Sequence, residues 1–185
     1  MDDKTLALIS RLPKKSLLEA ARAHLQNLAL EGRLAEAREM YDELLSVDDK
    51  NLATARAGRL LVGRFCLRGD FDAALEIYGN FPDARENHDI LLEQLMTCDL
   101  IVRHMAGTRT LEAWEIWRPL AESLSSDAAK QNWTRTGEAL MDACYKNDLV
   151  RLGKEIYASL LEFASCDAAR GYLERAALTR RKLEG

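Results

Sequence analysis

The chain of 185 residues holds few residues that turn a backbone, with only 3 Pro and 10 Gly. An all-β fold needs frequent turn signals, so that class is disfavoured at the outset. There is no apolar run near the ~20 residues of a membrane span. The start, "MDDKTLALISRLPKK", is acidic and its apolar stretch is broken at Arg11, unlike a secretory signal. Basic charge is not in excess either: 26 Lys and Arg stand against 30 Asp and Glu, a net charge of −4. A dedicated nucleic-acid binder carries a basic balance, so nucleic acid is not the expected partner. No Gly-rich phosphate loop, G-x-S-x-G or H-E-x-x-H occurs. The three histidines, His24, His88 and His104, are scattered. The four cysteines, Cys66, Cys98, Cys144 and Cys166, have neither C-x-x-C nor His at ligand spacing, which disfavours zinc. Neither a catalytic residue nor a cofactor or metal site is assigned. The expectation is a non-enzymatic, cytoplasmic protein with buried free thiols and no membrane contact.

What is abundant is helix-forming: Ala, Leu, Glu and Arg dominate. Within this background one phrase recurs. Glu-apolar-aromatic ends at Tyr41, Tyr78, Trp117 and Tyr157, at intervals of 37, 39 and 40 residues. Four residues before each aromatic stands a small residue: Ala37, Ala74, Ala113 and Gly153. Three residues after it stands an apolar one: Leu44, Phe81, Leu120 and Leu160. Offsets of −4, 0 and +3 share one face of an α-helix. The spacing therefore predicts four helices with a small–aromatic–apolar stripe, all four aromatics being core. Glu39, Glu76, Glu115 and Glu155, two residues before the aromatics, point elsewhere, toward solvent or a neighbouring helix.

Each stripe is preceded by a break: "EGR" 31–33, "RGD" 68–70, "AGT" 106–108 and "KND" 146–148. Before each break runs another apolar-periodic segment: Leu17–Leu30, Ala53–Leu67, Ile90–Met105 and Thr134–Tyr145. The unit is helix A, short turn, helix B, over residues 14–47, 49–82, 86–124 and 127–164. Asp, Ser and Asn in the links between units are expected N-caps. Such units cannot bury their stripes alone and stack into one domain with polar ends. Residues 166–183 read as a capping helix, with Ala169, Tyr172, Leu173, Ala176 and Leu178 inward. "KTLALISRL" reads as a short extra N-terminal helix.

"EGRLAEAREMYDELL" and "RGDFDAALEIYGNF" resemble the second-helix hallmark of the tetratricopeptide repeat family. Gly32, Leu34, Ala37 and Tyr41, then Gly69, Phe71, Ala74 and Tyr78, fall in its register. "TRTLEAWEIWRPL" and "NDLVRLGKEIYASLL" match the second-helix half alone. The periods exceed the family's usual 34, and most of its first-helix hallmarks are missing. The resemblance implies an all-α, right-handed superhelix of antiparallel helix pairs. It further implies a scaffold or adaptor that holds a protein or peptide in a concave groove lined by helices A. On that alignment the groove begins with Arg22, Gln26, Arg56 and Arg59. It continues through Leu60, Gly63, Cys66 and Leu67 to Asp99, Val102, Met105, Arg135, Glu138, Asp142 and Tyr145. Leu60 stands where the family's carboxylate clamp needs Asn, so chaperone-tail binding is not expected. The basic start of the groove suits an acidic segment; the alternative is that its arginines only solvate the face or pair with acids such as Glu19. Trp133 is either a packed side chain or an exposed anchor, and Tyr145 a second anchor. Two other readings stay open: a self-associating homodimer, and a pentatricopeptide-like RNA binder.

Overall fold

The computed structural model describes residues 14–48, 52–82, 84 and 87–184. Among them are nine α-helices and no β-strand. The expected helix over "KTLALISRL" lies outside the described residues.

The first pair is α1 (Lys14–Glu31) and α2 (Leu34–Asp48), followed by α3 (Leu52–Leu67) and α4 (Phe71–Gly79). Next come α5 (His88–Met105) and α6 (Thr110–Trp117), the latter running into a 3₁₀ turn at Arg118–Ser123. Then follow α7 (Asp127–Lys146) and α8 (Val150–Leu161). A second 3₁₀ turn, Asp167–Ala169, leads into α9 (Arg170–Glu184). Helix α7 starts two turns earlier than the periodicity suggested, because Ser126 caps it by accepting from the Ala129 amide. Asn87 caps α5 in the same way, accepting from the amides of Asp89 and Ile90. Both are link residues, as expected of N-caps.

Three of the four turns within pairs share one device. Arg33 N donates to Leu28 O, Asp70 N to Phe65 O and Leu149 N to Cys144 O, each bond spanning five residues. This is the bond that closes a helix through a left-handed residue. Gly32 (φ 81°), Gly69 (φ 74°) and Asp148 (φ 55°) supply that residue. Neighbouring units hold two of the turns as well: Arg68 donates to Gly32 O at 2.9 Å, and Asn147 to Gly107 O at 3.2 Å.

Each helix packs against the next, and α1, α3, α5, α7 and α9 also pack successively on one another. The small residues of the stripe, Ala37, Ala74, Ala113 and Gly153, are all buried. Tyr41 and Trp117 are fully buried, whereas Tyr78 and Tyr157 are only half-buried. In those two stripes the preceding Ile77 and Ile156 face the core instead. The reasons are local. Tyr78 lies in the last turn of a nine-residue helix, its ring centroid 6.2 Å from that of Phe81. Tyr157 is covered by the Arg180 guanidinium of the final helix, 4.9 Å from its ring.

The fully buried aromatics rest on glycines of the following helix. A Cβ at Gly58 would stand 2.7 Å from Tyr41 Cζ, and one at Gly137 2.6 Å from Trp117 Cζ2. In the capping segment, Ala169 of the 3₁₀ turn and Ala176 of α9 are buried and Tyr172 and Leu173 half-buried, but Leu178 is exposed and Thr179 takes the inward place. Position 178 falls off the i, i+3, i+4 stripe that the other four define. No helix among the described residues is long and apolar enough to cross a membrane.

Candidate functional site

Two clefts open side by side on the face built by the first helices of the pairs. One, of about 700 Å³, lies between α1 and α3 and is lined by Arg22, Gln26 and Arg56, among others. The other, of about 470 Å³, lies between α3 and α5 and is lined by Arg56, Arg59, Arg64 and His104 above Leu60 and Gly63. Arg56 and Leu60 line both, so the two form one continuous groove. Four of the six expected site residues, Arg22, Gln26, Arg56 and Arg59, thus come together.

The arginines are not merely solvated. Arg56 Nε donates to Glu93 Oε1 at 3.0 Å and Arg59 Nε to Glu93 Oε2 at 2.7 Å. Glu93 itself is only 4% exposed. A buried carboxylate is costly unless paired and hydrogen-bonded, and two guanidinium groups meet that need. The Arg56 side chain nonetheless remains 61% exposed. Glu93 therefore holds both guanidiniums by their Nε atoms, and both arginines line the cleft. Two cations on one carboxylate leave local positive charge. Arg22 donates to Thr54 Oγ1 at 3.3 Å, which ties α1 to α3.

The other two expected residues lie elsewhere. Trp133 is 1% exposed and stacks on Trp117 with ring centroids 3.9 Å apart. The two indoles exchange hydrogen bonds: Trp117 Nε1 donates to Trp133 O at 2.9 Å and Trp133 Nε1 to Trp117 O at 3.1 Å. An indole with its N–H satisfied inside an aromatic stack is core, so the exposed-anchor expectation for Trp133 is corrected. Tyr145 is 49% exposed and lines neither cleft; the Lys182 ammonium of α9 lies 5.8 Å from its ring.

The later part of the expected groove is closed by its own polar pairs. Asp99 is buried and accepts from Arg103, Arg135 and Thr136. Glu138 accepts from Arg175, and Asp142 from Thr179 at 3.0 Å. Val102 and Met105 are fully buried. Sequence reasoning missed these partners, although most stand 36 or 37 residues apart, close to one period. That spacing was the available signal: an acid on one first helix and a base one period away.

All four cysteines are buried and unpaired. Burial pushes the Cys66 and Cys144 thiols up to about 11, and Cys98 further. Thiolates are therefore scarce near neutrality. On the second helices, Arg38 pairs with Glu76 and Arg109 with Asp72, holding both carboxyls below their ordinary range. Among the described residues no cluster of His, Cys, Asp and Glu could hold a metal ion. No known protein family, curated protein or solved structure matches this chain.

Proposed function

We propose that the chain is a non-catalytic scaffold of the tetratricopeptide-like kind, a superhelix of helix pairs that holds a protein segment against its first helices. The observation that carries this reading is the continuous groove from α1 to α5, with guanidinium groups held at its rim and aliphatic side chains at its base. Concave sites of a few hundred Å³ with an apolar lining and few placed polar groups are where ligands bind. The successive packing of α1, α3, α5, α7 and α9 supports a stacked array, in which one face is available along its length.

The test is retention of host proteins on the immobilised full chain and on a variant with both clefts filled, Ala23→Trp/Gly63→Leu. Ala23 is exposed and lines the first cleft; Gly63 lines the second. A partner held by the native chain and released by the filled variant is the expected result. Partners retained equally by both place binding outside the groove and refute the reading.

A further inference from the structure

We propose that the cleft between α3 and α5 reads a short extended peptide segment by one carboxylate and, three or four residues away, one aliphatic side chain. This rests on the scaffold reading and adds the chemistry of its ligand.

The carboxylate end follows from the clasp around Glu93. Each arginine spends its Nε–H on Glu93, at 3.0 and 2.7 Å, and neither makes another hydrogen bond or ion pair among the described residues. A guanidinium fixed in this way presents its terminal N–H groups as a preorganised fork, which matches a carboxylate in two-point geometry. Fixing the donors beforehand lowers the ordering cost of binding. One carboxylate already opposes two cations, so a second one balances the charge. Arg64, also in the cleft, has no ion pair among the described residues, and no acidic residue lines this cleft.

The aliphatic end follows from what lies beyond the clasp. Leu60, Gly63, Leu67 and Leu100 line the same cleft. Leu67 is 67% exposed. At Gly63 the nearest atom a Cβ would meet is Leu100 Cδ1, at 3.7 Å, so the floor is open there. Leu67 lies eight residues beyond Arg59 on the same helix, about 12 Å along the axis. An extended peptide covers about 3.3 Å per residue, which sets the spacing of three or four residues.

An RNA strand fits less well. Neither cleft is lined by Phe, Tyr or Trp, so bases would have only the His104 ring and the guanidinium planes to stack on.

The experiment is selection of phage-displayed random peptides on the full chain at low salt, then anisotropy with a labelled consensus peptide. Two variants dissect the site. Arg56→Gln/Arg59→Gln/Glu93→Gln removes the clasp without stranding a buried charge. Gly63→Leu fills the floor and changes no charge. The expected consensus is an acid and an aliphatic residue at the stated spacing. Changing that acid to its amide weakens binding about tenfold on the native chain and has no effect on the triple variant. Changing the aliphatic residue to Ser weakens binding to the native chain and not to Gly63→Leu. Should the triple variant not fold, the amide replacement on the native chain and the Gly63→Leu comparison decide alone. Peptides that lack the acid, or that keep their acid dependence on the triple variant, overturn this inference. If they are still displaced by filling the groove, the scaffold reading stands. Failure to select any peptide overturns the inference, while the scaffold reading is then decided by the retention test with the filled variant. An oligouridine probe that outcompetes the consensus peptide overturns the inference in favour of RNA.

Discussion

Two glycines of α3 should respond to alanine with opposite signs. Gly58 and Gly63 are five residues apart on one helix, and propensity alone favours Ala at each by about 1 kcal/mol. At Gly63 a Cβ meets only Leu100, at an ordinary 3.7 Å, so Gly63→Ala should stabilise by most of that amount. At Gly58 it would stand 2.7 Å from Tyr41 Cζ and 3.0 Å from Cε2. Tyr41 is completely buried and has no room to retreat. Overpacking a core costs about 1–3 kcal/mol, which offsets the propensity gain and leaves Gly58→Ala net destabilising by up to about 2 kcal/mol. The mechanism is checked by a second substitution. Tyr41→Leu removes the ring and loses stability by itself, but in that background Gly58→Ala should become neutral or favourable. The coupling should fall within the roughly 0.5–3 kcal/mol typical of touching residues. Urea unfolding followed by circular dichroism, with slopes compared among variants, supplies the values. If Gly58→Ala stabilises the chain as much as Gly63→Ala does, Tyr41 does not pack on this glycine and the inter-unit geometry is wrong.

Reversing the clasp arginines, Arg56→Glu/Arg59→Glu, should cost at least about 3 kcal/mol, because it leaves buried Glu93 among like charges; a melting temperature unchanged by this pair of substitutions would refute the clasp. Near pH 8 Cys66, Cys98 and Cys144 should react slowly with an aromatic disulfide reagent in the native chain and quickly in denaturant, since burial raises these thiols; rapid native reaction of these three contradicts the packing. Asp72 and Glu76 have lowered folded-state pKa values, so their pairs stabilise above the unfolded values near pH 4 and lose that contribution as pH falls through the folded ones. The Asp72→Asn/Glu76→Gln variant should therefore show a shallower drop in melting temperature on acidification than the native chain. Trp117→Ala should cost about 3–5 kcal/mol as a buried aromatic, and half-buried Tyr157→Ala clearly less, both by the same urea titration.

The helices and their breaks were legible because they rest on local chemistry. The stripe's small residues and the turns at Gly32, Gly69 and Asn147–Asp148 each follow from neighbours a few positions away. The register of Tyr78 and Tyr157 was less legible. There, burial depends on how long the helix is and on what covers it from the next unit, and neither is written in the stripe. The site was legible as a charge pattern only. Arg56 and Arg59 share a helix face by their spacing, but their partner Glu93 is buried on another helix, 37 and 34 residues away. Exposed and buried acids look alike in a sequence. Trp133 shows the converse: its N–H is satisfied by a backbone carbonyl 16 residues earlier, which no periodicity announces.

The exchanged indole bonds give the chain an optical asymmetry. All three tryptophans, Trp114, Trp117 and Trp133, belong to α6 and α7, and none lies in the first four helices. Indole emission therefore watches only the junction where Trp117 and Trp133 stack, while ellipticity in the far ultraviolet averages every helix. In an array whose members touch only their neighbours, the ends can loosen separately from the middle. Fraying that starts at α1 would lower the ellipticity before the emission changes, and melting that starts at α7 would reverse that order. The stacked pair thus distinguishes melting at its own junction from fraying at either end, without any added label.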